Sequence, residues 1–114
     1  MTMPRPLPDE LAELIAERFR LLSEPMRIRI LDRLREGPRS VGALAEDLAT
    51  SQQNVSKHLG LLHRAGVLAR DKEGTSTIYR IADATVFDMC EHVCGGIQRR
   101  LTELRSLMGE EVAG

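Results

Sequence analysis

The sequence predicts a mainly α-helical domain carrying one β-hairpin. Apolar residues recur at helical spacing along most of its 114 residues, the mark of helices packed on one side. That period is interrupted once, over residues 67–82, by two short β-rich runs around Gly74. A polar start signal at Thr50-Ser51-Gln52-Gln53 divides the central helical region in two. Five helices and one hairpin result, read as a single domain over 1–114 with residues 1–6 flexible.

The first helix, residues 7–23, carries Leu11, Ala12, Leu14, Ile15, Phe19 and Leu22 at helical spacing, with Pro8 near its opening. Pro25 begins the second, where its missing N–H is least harmful. Met26, Ile28, Ile30, Leu31 and Leu34 form its packed face, and Gly37-Pro38 ends it. In the third, Val41, Leu44, Ala45 and Leu48 stand at i, i+3, i+4 and i+7. The Thr50 hydroxyl is expected to cap the fourth helix, with Gln53 reaching back as the capping-box partner. Val55, Leu59 and Leu62 share that helix's buried face. Gln53, Lys57, Gly60 and Arg64 lie roughly opposite, and Gln52, Ser56 and a solvent-exposed His63 lie on the flanks. Gly66 stops the helix in a left-handed conformation. A last helix opens at Asp83-Ala84-Thr85 and runs to Leu107 or beyond, with Val86, Phe87, Cys90, Val93, Cys94, Ile97, Leu101, Leu104 and Met108 as its apolar residues.

Two short helices joined by a tight turn over residues 40–66 make a helix-turn-helix, whose second helix fits the major groove of DNA. The outward residues suit that role: Gln pairs with adenine edges, Ser donates or accepts, and Lys reaches phosphate or guanine. An ordinary solvated helix favours the same residue types. The hairpin that follows separates the readings, because a hairpin directly after such a helix forms a wing. Arg70, Lys72 and Thr75 are expected near its tip, touching phosphates or the minor groove. The expected DNA contacts are Ser51, Gln52, Gln53, Ser56, Lys57, Arg64, Arg70 and Lys72. Gln52, Gln53 and Ser56 would read bases, and the cationic residues would hold phosphates.

A net charge of −1 is unusual for a DNA binder, but the charge is uneven. From Thr50 to Arg80, Lys57, Arg64, Arg70, Lys72 and Arg80 outnumber Asp71 and Glu73. From Asp83 onward, three arginines face Asp83, Asp88, Glu91, Glu103, Glu110 and Glu111. The local field at the docking face governs DNA affinity more than whole-chain charge does. No apolar run approaches the roughly 20 residues needed to span a bilayer. The N-terminus lacks the apolar core of a signal peptide, so a cytoplasmic location with no membrane contact is expected.

The motifs L-x-x-P-x-R-x-x-I-L from Leu22 and S-x-x-x-V-S-x-H-L-x-x-L-x-x-A-G-V-L from Ser51 are the most diagnostic pieces. With SVGALAEDL and the EGTSTIYRI hairpin, they make the chain resemble the ArsR/SmtB family over about residues 11–107. The resemblance implies a homodimeric winged helix-turn-helix repressor on an inverted-repeat operator. It implies a dimer interface formed by the first and last helices, residues 7–23 and 83–108. Effector release from DNA is implied as well. The family's familiar sensor positions are altered: Ser40, Gly42 and Ala45 replace a cysteine motif, and Asp32 stands at a persulfide-sensing cysteine. Of an interfacial zinc set only Asp83 remains, with Thr85, Gly96 and Arg99 at the other positions.

Cys90 and Cys94 lie one helical turn apart on one face. Such thiolates suit a soft ion such as Zn(II), Cd(II) or arsenite, or a redox or sulfur species. No metal is expected to be required for the fold. Both cysteines equally suit packing as small hydrophobes in a dimer face, and the sequence leaves these readings open. His92 points about 200° around the helix from Cys90, from the 100° step per residue, and makes a poor third ligand. His58 is expected to pack or hydrogen-bond rather than bind metal. A Cys–His enzyme is disfavoured by the same divergence, and no Gly-rich or paired-carboxylate motif is present. A winged helix used only for protein contacts remains the rival reading.

Overall fold

The structure, a computed structural model, describes residues 2–109. Met1 of the expected flexible arm and residues 110–114, including Glu110 and Glu111 of the acidic balance, lie outside the described residues. The chain divides into two compact units, Met1–Ala82 and Asp83–Gly114.

Helix α1 spans Asp9–Leu21, shorter at both ends than the expected 7–23. Pro8 restricts Leu7 to extended backbone and takes the N-cap position itself. At the other end the Ser23 hydroxyl donates to the Arg20 carbonyl at 2.6 Å, occupying an acceptor that further helix would need. No residue of α1 is buried, and Leu14 and Phe19 are exposed.

Helix α2 spans Pro25–Leu34, with Pro25 in its first turn as expected. Ile30, Leu31 and Leu34 are buried, but Ile28 is exposed and Arg27 takes the remaining inward position. Residues 27, 30, 31 and 34 share one face, and Ile28 lies about 100° away from Arg27. Reading only apolar residues as inward hid this.

Strand β1 (Arg39–Ser40) leads into α3 (Val41–Asp47), whose N-cap Ser40 accepts from the Ala43 N–H. Its end is closed by Ala49 N–H to Glu46 O at 3.2 Å and Thr50 N–H to Ala45 O at 3.0 Å. This paired closure requires a left-handed residue, and Ala49 supplies it at φ 53°.

Helix α4 (Gln52–Arg64) is capped by Ser51, whose Oγ accepts from the Asn54 N–H at 3.0 Å. The expected Thr50–Gln53 capping box is therefore wrong by one residue. Thr50 instead accepts from Asn54 Nδ2 at 3.1 Å, so Asn54 stitches both sides of the turn. Val55, Leu59 and Leu62 are fully buried, as their spacing predicts. Gly66, at φ +80°, closes α4: its N–H donates to His63 O and that of Val67 to Leu62 O, both at 3.0 Å.

Strands β2 (Leu68–Glu73) and β3 (Ser76–Ile81) pair antiparallel from Leu68↔Ile81 to Glu73↔Ser76. The two-residue loop Gly74-Thr75 has its positive φ, +62°, at Gly74, the backbone that matches hairpin twist. The sheet order is β1-β3-β2; a two-residue β1 was too short to be legible in sequence. The core of this unit is Ile30, Leu31, Leu44, Val55, Leu59, Leu62 and Val67. Its layout is a helix-turn-helix followed by a wing.

In the second unit, α5 spans Thr85–Leu107. Asp83 Oδ1 accepts from the Thr85 N–H and hydroxyl, starting the helix where the sequence predicts. Val86 is its one buried residue. Val93, Ile97, Leu101 and Leu104 form an exposed stripe. Among the described residues, no helix is long and apolar enough to cross a membrane.

Candidate nucleic-acid interface

The burial of Val55, Leu59 and Leu62 turns the opposite side of α4 outward. Gln52, Gln53, Ser56 and Lys57 are all exposed there, as is the cap residue Ser51. Ser51 Oγ already accepts the Asn54 N–H, which leaves its hydroxyl proton for a ligand. Gln52 and Ser56 line a recess of about 340 Å³ with Ser40 and Gly42 before and within α3 and Thr75, Ser76 and Thr77 at the wing tip. Hydroxyls and an amide from three separate elements thus converge on one polar hollow, suited to base edges and phosphate oxygens. The wing-tip members Ser76 and Thr77 were not anticipated. The strand register that places them is not visible in sequence.

The cationic residues divide. Lys72 pairs with Thr77, one step behind the turn, whereas Arg70 pairs with Tyr79 well down the hairpin. Only Lys72 is close to the tip, against the expectation for both. The two share one face of the wing, since side chains alternate. Lys57, Arg64, Arg70, Lys72 and Arg80 are all exposed, and Arg80 is paired with Asp71 at 3.2 Å. Arg64 stands apart from the polar hollow. Its guanidinium folds back over Gly60, where a Cβ would meet Nη1 at 3.3 Å. It lines a different recess with Leu14, Arg20, Leu21 and Leu61.

The histidines of α4 have structural surroundings. His58 is buried, and its Nδ1 lies 3.2 Å from Arg27 Nη1. Burial foremost, then the Arg27 and Lys57 charges, lower its pKa below the ordinary imidazole range, with Glu24 opposing. The unfolded chain therefore takes up this proton more readily. The pair's contribution to stability is complete above the ordinary value and is lost as pH falls below it. His63, expected to be solvent-exposed, is half-buried and stands edge-on to Tyr79 with ring centroids 6.5 Å apart. Tyr79 on β3 supplies an aromatic wall that the helical pattern of α4 does not reveal.

Cys90 and Cys94 are free thiols on α5, the first half-buried and the second exposed. Burial raises the Cys90 pKa, which disfavours its thiolate. Among the described residues, no cluster of three or more His, Cys, Asp or Glu side chains has the geometry of a metal site. Two thiols fall short of the four ligands of a closed zinc site.

A helix-turn-helix domain family matches residues 22–71. The chain is 43% identical over 82 residues to the uncharacterized HTH-type transcriptional regulator Rv0081 of Mycobacterium tuberculosis, covering 71% of this chain and 72% of that protein. The crystal structure of Rv0081 superimposes with a TM-score of 0.74 at 38% identity, covering 84% of this chain and 97% of that one. The HTH-type transcriptional repressor SmtB of the same organism is 40% identical over 82 residues, 72% of this chain and 61% of its own. A homodimeric winged helix-turn-helix DNA-binding domain from Mycobacterium bovis, described as a possible ArsR-family regulator, matches with a TM-score of 0.66 at 26% identity. That match covers 92% of both chains. On this fold and these relationships, the chain belongs to the ArsR/SmtB family of winged helix-turn-helix transcriptional regulators, which bind DNA and are not enzymes.

Proposed function

We propose that the chain is a homodimeric repressor in the cytoplasm that binds an inverted-repeat operator, each protomer laying α4 in a major groove. The observation that carries this reading is the convergence of Gln52 and Ser56 with the wing-tip hydroxyls. Gln53 and Lys57 are exposed along the same helix. Gln52, Gln53 and Ser56 read bases, while Lys57, Arg70 and Lys72 hold phosphates. Dimerisation through α1 and α5 is supported by the apolar residues that each leaves exposed, Leu14 and Phe19 on α1 and the Val93 to Leu104 stripe on α5. An effector releases DNA by favouring a dimer whose two α4 helices no longer match successive grooves.

For the effector, Cys90 and Cys94 are the proposed site of a thiophilic metal, metalloid or sulfur oxidant, with two protomers together supplying four thiols. The raised Cys90 pKa favours a second reading, in which both cysteines pack in the dimer seam and the regulator senses nothing through them. A DNA-release titration decides between the two. On wild type, Zn(II), Cd(II), arsenite or a persulfide donor is expected to release the duplex, and Cys90→Ser/Cys94→Ser is expected to resist. Equal release of both proteins by every agent removes the cysteine site. Failure of the wild type to bind its own upstream DNA would instead favour a protein-interaction module.

A further inference from the structure

Arg27 is a buried arginine with no carboxylate among its hydrogen-bond partners in the described residues. Its Nε donates to Leu21 O at 2.7 Å and its Nη2 to Arg20 O at 3.1 Å. Both are carbonyls of the last turn of α1, the Arg20 oxygen shared with the Ser23 N–H and hydroxyl, and a cation at a helix C-terminus is favoured by the helix dipole. Nη1 faces His58 Nδ1 on α4 at 3.2 Å. One planar fork rooted in α2 therefore joins the end of α1 to the middle of α4.

The chemistry of the third contact is one-directional. Arginine only donates, so Nδ1 must offer a lone pair and the imidazole must carry its proton on Nε2. A doubly protonated His58 has no acceptor and sets a second cation against the guanidinium. This link matters because α1 buries no residue of its own, so little apolar packing fixes its direction against α4.

We propose that Arg27 is a positioning residue whose bond to His58 fixes α1 relative to α4, and thereby registers the two reading helices of a dimer on DNA. The inference rests on the proposed dimer through α1 and on α4 as reading helix. In a dimer joined through α1, an error in the α1–α4 angle is carried into the spacing and tilt of both reading helices. A single α4 on a half-site does not depend on that angle. The link also closes only with His58 neutral, so registration is lost in acid. The charged groups acting on His58 are Arg27 from α2, Lys57 from α4 and Glu24 at the α2 N-cap.

The test compares affinity for an inverted-repeat duplex, selected from a random pool by the wild type, with affinity for a duplex holding one half of it. Losing a buried hydrogen bond to a charged group is expected to lower inverted-repeat affinity by about tenfold in Arg27→Met. Half-site affinity is expected to stay within about twofold on the same reasoning. For wild type, the inverted-repeat to half-site ratio is expected to fall between about pH 8 and about pH 5, a range bracketing the ordinary imidazole pKa. In His58→Gln, whose amide oxygen still accepts but does not titrate, the ratio is expected to be flat. If Arg27→Met does not fold, this pH comparison decides alone. Equal weakening of both duplexes, or the same pH profile in wild type and His58→Gln, overturns the latch while leaving DNA reading intact. A wild type that prefers no duplex overturns the functional reading beneath it.

Discussion

One charge in the exposed stripe of α5, Ile97→Glu, is expected to leave the winged unit folded and to split the dimer into monomers that release an inverted-repeat duplex. Ile97 is 55% exposed and lies among Val93, Leu101 and Leu104, at 54%, 45% and 38%. Burying such side chains against a second copy contributes about 25 cal/mol per Å² of apolar surface. In a two-fold interface the substitution enters twice, so two carboxylates must be desolvated without partners. A weakening of self-association by at least about 100-fold, near 3 kcal/mol, is the expected result. Sedimentation of wild type and variant at equal concentration reads it, and circular dichroism confirms the retained fold. A variant that sediments as the wild type does would place the interface elsewhere.

Gln53→Ala and Lys72→Ala are expected to differ in kind. A glutamine reading a base edge contributes about 1–3 kcal/mol of discrimination, so Gln53→Ala relaxes preference at one position of each half-site. Lys72, one step behind the wing turn, is proposed to neutralise phosphate. Its loss weakens every duplex alike and lowers the slope of log affinity against log salt by roughly two, one contact per protomer. Anisotropy titrations on a matched duplex and a single-base variant, each over a salt series, separate these behaviours. Identical effects of both substitutions on both duplexes would remove the division of roles.

The elements were legible because their signals are local. The spacing of Val55, Leu59 and Leu62 shows the buried face of α4, and Gly66 and Gly74 stand where the chain must adopt positive φ. Contacts between elements were not legible. Asn54 binds both Ser51 and Thr50, and a capping-box pattern one residue earlier concealed it. Arg27 was invisible as an inward residue because its partners are two backbone carbonyls and a histidine 31 positions away. The candidate site was half legible: the exposed row of α4 follows from helical period, but Ser76 and Thr77 join it only through strand register. Arg64 continues the row in sequence, yet in space it turns over Gly60 toward the recess beside α1.

The central claim is that two α4 helices of one dimer occupy successive major grooves on one side of the duplex. Inserting about five base pairs between the half-sites, half of a roughly 10-bp turn, rotates one groove to the far side. The account predicts that the wild type then binds no more tightly than to a single half-site. Undiminished affinity for the expanded duplex, with two protomers still bound, would contradict it.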